Sequence, residues 1–197
     1  MRCIKLKTLT HPSESMFNIS HINVKDFFLL DENEAIKYVE LQSIMLSKDV
    51  FLNYRAKPLS ELTFGQVSEI KRNFINPDYK SLLNCFKIVF KVKEDDYRRS
   101  DIIPYFYALN WIKDQIMVLI EKEKMLIPDP DPELEMAGVK KLSIFGEMSI
   151  LINLAEKFST TPMAIETWTY NLVFTIILYQ KLLNEVRRDY IYITKSK

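Results

Sequence analysis

The sequence predicts a mainly α-helical protein carrying a small β-containing N-terminal region, an α+β chain dominated by helix. Three observations predict it. Capping residues followed by apolar side chains at helical intervals recur from Leu59 onward, whereas strand-like alternation is confined to residues 1–58. Glycine is scarce, with only Gly65, Gly138 and Gly146 in 197 residues. The 48% apolar and 27% charged composition is that of an ordinary globular chain, long enough to build a core without disulfide staples. One compact domain is expected, organised as a mixed region 1–58, a helical region 59–127, a proline-rich elbow 128–132 and a C-terminal helical region 133–197.

Within the first region, Ile4 and Leu6 alternate with Lys5 and Lys7, and Phe17 and Ile19 alternate with Asn18 and Ser20, as in half-buried strands. Asp31 with Glu34 three residues later is a helix start, and Ile36, Val39 and Leu46 are the expected apolar face. Val50, Leu52 and Tyr54 alternate again before Pro58.

The helical region is more legible. Thr63 and Gln66 have capping-box spacing, followed by Val67, Ile70 and Phe74 until Asn76-Pro77 ends the run. Asp78 caps a second helix with Leu82, Cys85, Phe86 and Val89 on one face. After the charged connector 94–99, Ser100 or Asp101 caps a longer helix with Pro104 in its first turn, where a missing N–H is harmless. Phe106, Leu109, Ile112, Ile116, Leu119 and Ile120 mark its apolar face.

Pro128, Pro130 and Pro132 disfavour helix at each preceding residue and form the elbow. From Glu133 to Lys157 the spacing of Leu134, Val139, Leu142, Phe145, Leu151 and Leu154 predicts a helix interrupted at Gly146 by a kink, a close crossing or a boundary. Thr161-Pro162 reads as N-cap and first helical residue of a restart. The final helix carries Leu172, Ile176, Tyr179, Leu183, Val186 and Tyr190 at alternating four- and three-residue intervals, a heptad seam. Thr194 to Lys197 are expected to fray.

Several function classes find no support. The dispersed glycines make no phosphate-cradling loop. A formal net charge of +1 lacks the basic excess of a nucleic-acid binder, although Arg98-Arg99 and Arg187-Arg188 are local basic doublets. His11, His21, Cys3 and Cys85 have no metal-ligand spacing, so neither metal nor cofactor is expected. Acidic pairs such as Asp95/Asp96 and Glu121/Glu123 lie in charge-rich segments without a histidine or nucleophile elbow and read as solvated faces. No apolar h-region follows Met1–Lys7, and the longest apolar run, 172–179, is too short to span a bilayer.

What remains is association. Tyrosine and tryptophan concentrate at residues 97–111 and again at 168–170, types used both in cores and at contact hot spots. The candidate contact residues are Tyr105, Tyr107, Trp111, Trp168, Ile176, Tyr179, Leu183, Val186 and Tyr190, with internal packing as the competing role for each.

Ala137-Gly138-Val139, Leu142, Phe145-Gly146, Leu151, Leu154-Ala155, Thr161-Pro162, Ile165, Trp168, Tyr170 and Val173-Phe174 together resemble the C-terminal half of small helical proteins from tailed-bacteriophage structural modules. Leu62-Thr63-Phe64-Gly65-Gln66 adds to the likeness. Such proteins include tail-assembly chaperones and neck or ring components of virions, among them those of crAss-like phages. The resemblance implies a non-enzymatic virion structural or assembly protein, a homo-oligomer that binds portal, neck or tail proteins, located in the virion or in the host cytoplasm during assembly. A cellular helical adaptor or regulator is the alternative, and a glycine-poor enzyme a third.

Overall fold

A computed structural model describes residues 22–127 and 136–195. It is mainly helical, with a small two-stranded antiparallel sheet near the start. In chain order the helices are α1 (Val24–Phe27), α2 (Glu32–Ile44), α3 (Phe64–Asn73), α4 (Tyr79–Phe90), α5 (Glu94–Arg99), α6 (Ile102–Glu123), α7 (Glu147–Lys157), α8 (Pro162–Glu166) and α9 (Tyr170–Lys195). Strands β1 (Val50–Phe51) and β2 (Tyr54–Arg55) lie between α2 and α3, and short 3-10 segments occupy Leu59–Glu61, Lys124–Leu126 and Val139–Phe145.

The caps form as their chemistry demands. Asp31, Thr63, Asp78, Asp101 and Thr161 each accept a backbone N–H from the first turn of the helix that follows. Thr63 and Gln66 complete a reciprocal capping box, and Pro162 takes the first helical position of α8.

The core is organised on the 22 residues of α6. Ile102, Tyr105, Phe106, Leu109, Ile112, Ile116 and Leu119 recur at intervals of one, three or four and are all buried. Against them pack Phe86, Phe90 and Cys85 of α4, Tyr97 of α5 and Phe51 of β1. Ring contacts are mostly edge-on or tilted, Phe51 to Phe86 at 4.9 Å and Phe86 to Tyr97 at 5.1 Å between centroids, while Phe86 and Tyr105 stack at 5.2 Å. Each such pair adds about 0.5–1.5 kcal/mol beyond its area. Asn110 ties α6 to the end of α2, donating to the carbonyls of Gln42 and Met45 at 3.0 Å each.

Three expectations need correction. Val50, Leu52 and Tyr54 do not form one strand: Leu52, at φ 54°, turns the chain, so Phe51 is the residue driven inward. On α2 the buried residue is Tyr38, and Ile36 and Val39 are exposed, because Asn110 holds the face carrying Gln42 against α6. Leu46 lies beyond α2 and is exposed. Residues 139–145 form a 3-10 segment instead of joining α7 in one interrupted helix, and Gly146 is the boundary between them. The expected strands at 4–6 and 17–19, the elbow 128–132 and Lys197 lie outside the described residues. The final helix runs through Thr194 to Lys195.

Gly146 has φ 48° and ψ −129°, and a Cβ placed there would meet nothing within 4 Å. Any cost of replacement is therefore backbone strain. Gly146→Ala is expected to lose about 2 kcal/mol in denaturant unfolding; an unchanged midpoint would show that this boundary relaxes freely. Tyr97 and Tyr105 are the converse case, since their hydroxyls are buried with no hydrogen-bond partner. Burial, with the Tyr105 hydroxyl adding to it, holds the Tyr97 phenol far above its ordinary range. Tyr97→Phe is expected to be neutral or to raise stability by up to about 1 kcal/mol, read as an unchanged or higher melting temperature.

Candidate interaction surface

The C-terminal helix is fixed to the body by its first turn. Phe64 donates its N–H to the carbonyl of Trp168 and Tyr170 donates its own to that of Leu62, both at 2.8 Å. This pair joins the start of α9 to the start of α3. Alongside, Gly65 faces Glu166 of α8 at a distance where a Cβ would make an ordinary contact of 3.4 Å, so space does not demand glycine there. Tyr170 and Val173 are buried, and Phe174 and Ile177 pack half-buried on the core. One turn further, Lys181 donates to the carbonyl of Met125 at 2.9 Å and sits 3.5 Å from Glu185.

A half-buried polar network lies beneath. Lys71 of α3 reaches Glu123 at 2.9 Å and Glu147 at 2.7 Å, and Tyr170 donates its hydroxyl to Glu123 at 2.6 Å. Burial opposes the charge of Lys71, but the hydrogen bonds and charges of the two glutamates outweigh it and raise its pKa above the ordinary value. Burial likewise works against the Glu147 carboxylate, and hydrogen bonds from Lys71 and Ser68 reverse that and lower its pKa. The Tyr170 phenol is pushed up by burial and by Glu123. These groups edge a small apolar cavity of about 230 Å³, walled by Phe64, Leu126, Ile127, Ile150, Phe174 and Ile177.

The heptad seam faces elsewhere. At about 100° per residue, the set Leu172, Ile176, Tyr179, Leu183, Val186 and Tyr190 is centred roughly 150° from Tyr170, Val173, Phe174 and Ile177. Leu172, Tyr179, Val186 and Tyr190 are exposed, with Tyr179 at 62% and Tyr190 at 68%. Ile176 and Leu183 are half-buried, and Ile176 packs on the core beside Ile177. Helix α9 is thus apolar on two sides, and among the described residues the seam side is covered only near Ile176.

The aromatic candidates separate differently. Tyr105 falls on the buried stripe of α6 and is 1% exposed, so it is a core residue and not a contact residue. Tyr107 is half-buried beneath Lys48, whose ammonium lies 4.0 Å from its ring centroid. Trp111 is half-buried, tilted against Phe90 at 6.1 Å. Trp168 sits edge-on to Phe158 at 5.2 Å, and its carbonyl holds Phe64.

Sequence reasoning missed part of the exposed apolar surface. Leu182, Ile191, Tyr192 and Ile193 are exposed on α9, as are Leu142, Ile144 and Phe145 in the 3-10 segment. The run Ile191-Tyr192-Ile193 beside a charged terminus was the available signal.

Among the described residues, no helix is long and apolar enough to cross a membrane, and no three His, Cys, Asp or Glu side chains are grouped to hold a metal ion. Cys85 is buried in apolar surroundings, which push its thiol up to about 12 and make it a poor nucleophile.

The Lys71 network generates a pH prediction. The lowered Glu147 contributes stability that is present above its unfolded pKa and lost as pH falls through the folded one; the raised Lys71 contributes below its unfolded pKa and loses it as pH rises through the folded value. Glu147 is 42% exposed, so water screens its share. Lys71→Met leaves two carboxylates facing one another and is expected to cost about 2 kcal/mol near neutrality. That deficit should shrink below about pH 4 and above about pH 10.5, measured by urea unfolding across the range. A deficit independent of pH would mean that the lysine acts by packing alone. No family model matches the chain, and no match was found among curated proteins or solved structures.

Proposed function

We propose that this chain is a structural or assembly protein of a tailed-bacteriophage particle, a portal-proximal neck or tail ring component or a tail-assembly factor. It acts by protein–protein contact and carries out no catalysis. The observation that carries the contact reading is the outward apolar face of α9, with Tyr179, Val186 and Tyr190 exposed on a helix already anchored through its other side. Isolated solvent-exposed apolar residues are commonplace, but a contiguous stripe held on a rigid helix marks an association site. The buried Cys85, and the Lys71, Glu123 and Glu147 side chains paired with one another, support a role without chemistry.

The virion assignment comes from the resemblance at residues 137–174. These positions include the left-handed Gly138, the boundary Gly146, the Thr161-Pro162 start of α8 and the first turn of α9. They are the residues that set where α9 begins and how it leaves the body, so the likeness concerns the element that presents the seam. Other phage structural proteins are the expected partners, with the virion, or the host cytoplasm during assembly, as the location.

Co-expression with portal, neck and tail proteins, followed by light scattering of the purified mixture, tests the proposal. At least one of them should co-elute with this chain, and Tyr179→Glu/Val186→Glu should abolish co-elution while leaving the melting temperature unchanged. Failure to bind any of them, or binding indifferent to the double substitution, overturns it.

A further inference from the structure

Two adjoining hollows lie against the β1–β2 hairpin. One is lined by Lys48, Asp49, Val50 and Trp111, the other by Lys57, Glu61, Val89 and Lys91. Arg55, Ala56 and Pro58 border both, so the chain from β2 to Pro58 runs between them. We infer that this groove binds an extended acidic segment of a partner protein, one in which carboxylates alternate with apolar side chains. This contact goes beyond the α9 reading and uses none of its residues.

Charge selects the sign of the partner. Lys48, Arg55, Lys57 and Lys91 are exposed and face the acids Asp49 and Glu61, an excess of two positive charges in a chain whose formal net charge is +1. Little ties those cations to the chain itself. Arg55 pairs with Asp49 at 3.3 Å, but the two side chains are 83% and 45% exposed, and an ion pair so open to water is weak. The Lys48 ammonium lies over the Tyr107 ring. Among the described residues, Lys57 and Lys91 form no ion pair. A carboxylate from outside can therefore engage all four without breaking a strong contact.

Lys91 is the unexpected member. It ends α4 at φ 56°, in the left-handed conformation where glycine is the usual residue. A cation there complements the carbonyl end of the helix. That role accounts for Lys91 but not for Lys48, Arg55 and Lys57, which belong to the hairpin and its flanks.

The floor selects the rest of the ligand. Val50, Ala56, Pro58 and Val89, with the half-buried indole of Trp111, put apolar ground beneath the cations of both hollows. Alternate side chains of an extended segment point to opposite sides. Apolar residues thus enter the hollows while carboxylates stay at the rim, where long lysine side chains reach them. The walls are already fixed. Lys48 donates its backbone N–H to the carbonyl of Tyr107 at 3.1 Å, Ala56 to that of Asp49 at 2.8 Å and Lys57 to that of Val89 at 2.9 Å, tying the hairpin to α6 and α4. A preformed groove loses less to ordering on binding.

Nucleic acid fits less well. A phosphate backbone is charged at every nucleotide and gains affinity with each charge neutralised, whereas Asp49 and Glu61 sit within the lining and oppose such a strand. A peptide can set its apolar residues beside them.

Trp111 is the reporter. The chain has two tryptophans, so Trp168→Phe leaves Trp111 alone. The probes are an end-blocked octapeptide alternating Glu with Leu, the same peptide with Lys for Glu, and an eight-nucleotide thymidine strand, each titrated at about 50 mM and about 300 mM salt. The Glu–Leu peptide should shift Trp111 emission saturably, and bind more weakly at the higher salt. Lys57→Glu/Lys91→Glu should reduce its affinity by at least about tenfold, and Lys57→Gln/Lys91→Gln, which cannot repel, by an intermediate factor. Lys80→Glu/Lys122→Glu makes the same charge change on exposed lysines elsewhere and should cost less than about twofold. Melting temperatures should be unchanged in all three.

No response to the Glu–Leu peptide overturns the inference, as does an equal loss in the two glutamate variants. Tighter binding of the lysine peptide or of the thymidine strand also overturns it, the latter marking a nucleic-acid surface instead. Tyr179 and Val186 are intact throughout, so none of these results bears on the contact reading of α9.

Discussion

The arrangement of the C-terminal half depends on two backbone hydrogen bonds, Phe64 N–H to Trp168 and Tyr170 N–H to Leu62. They fix where α9 begins and in what rotational phase. With Tyr170 held there, its ring stacks on Phe64 and its hydroxyl meets Glu123, which places the start of α9 over the junction of α3 and the end of α6. The phase of a helix is set once, because each residue advances it by about 100°. Burying Tyr170, Val173 and Ile177 therefore obliges Tyr179, Val186 and Tyr190 to face outward. A register one residue later would turn the seam toward one flank of the body and lose the burial of Val173.

The two halves of the chain spend their apolar residues differently. Residues 24–119 bury theirs around α6, in a cluster of rings from α4, α5 and β1. Among the described residues beyond 136, the buried ones are Leu151, Leu154, Ala155, Ile165, Tyr170 and Val173, and a longer series of large apolar side chains stays exposed from Met136 to Ile193. Dense internal packing is concentrated in the first half, and the second half keeps more of its large apolar side chains at the surface. The polar network of Lys71, Glu123 and Glu147 joins the halves: its members come from α3, α6 and α7, and Lys71 is the cation that both carboxylates share in a half-buried site.

Helix starts were legible in the sequence because a cap is a local device. Asp31, Thr63, Asp78 and Thr161 each act on a backbone N–H two or three residues away, and no distant residue alters that chemistry. Helix faces were legible only where the apolar stripe was narrow, as at Phe106, Leu109, Ile112, Ile116 and Leu119 of α6. On α2 the phase was decided by Asn110, 68 residues from Gln42, and a pattern confined to α2 carries no trace of that. Turn chemistry hid the hairpin, since Leu52 adopts a positive φ that leucine rarely takes and no glycine announces it. The candidate residues divided for the same reasons: the heptad spacing marked Tyr179, Val186 and Tyr190, which are exposed, whereas the burial of Tyr105 depended on α4 and α5 folding over it.

Helix α9 shows why regular spacing did not identify the face that packs on the body. The heptad pattern was the more regular of its two apolar sets, and regularity suits a neighbouring helix of constant pitch. Among the described residues, the body presents short elements to α9 and no long helix. It presents α3, the end of α6 and the 3-10 turn at Lys124–Leu126, irregular surfaces met by the irregular set Tyr170, Val173, Phe174 and Ile177. Irregular packing suits contact with several short elements, and regular packing suits contact with one long helix.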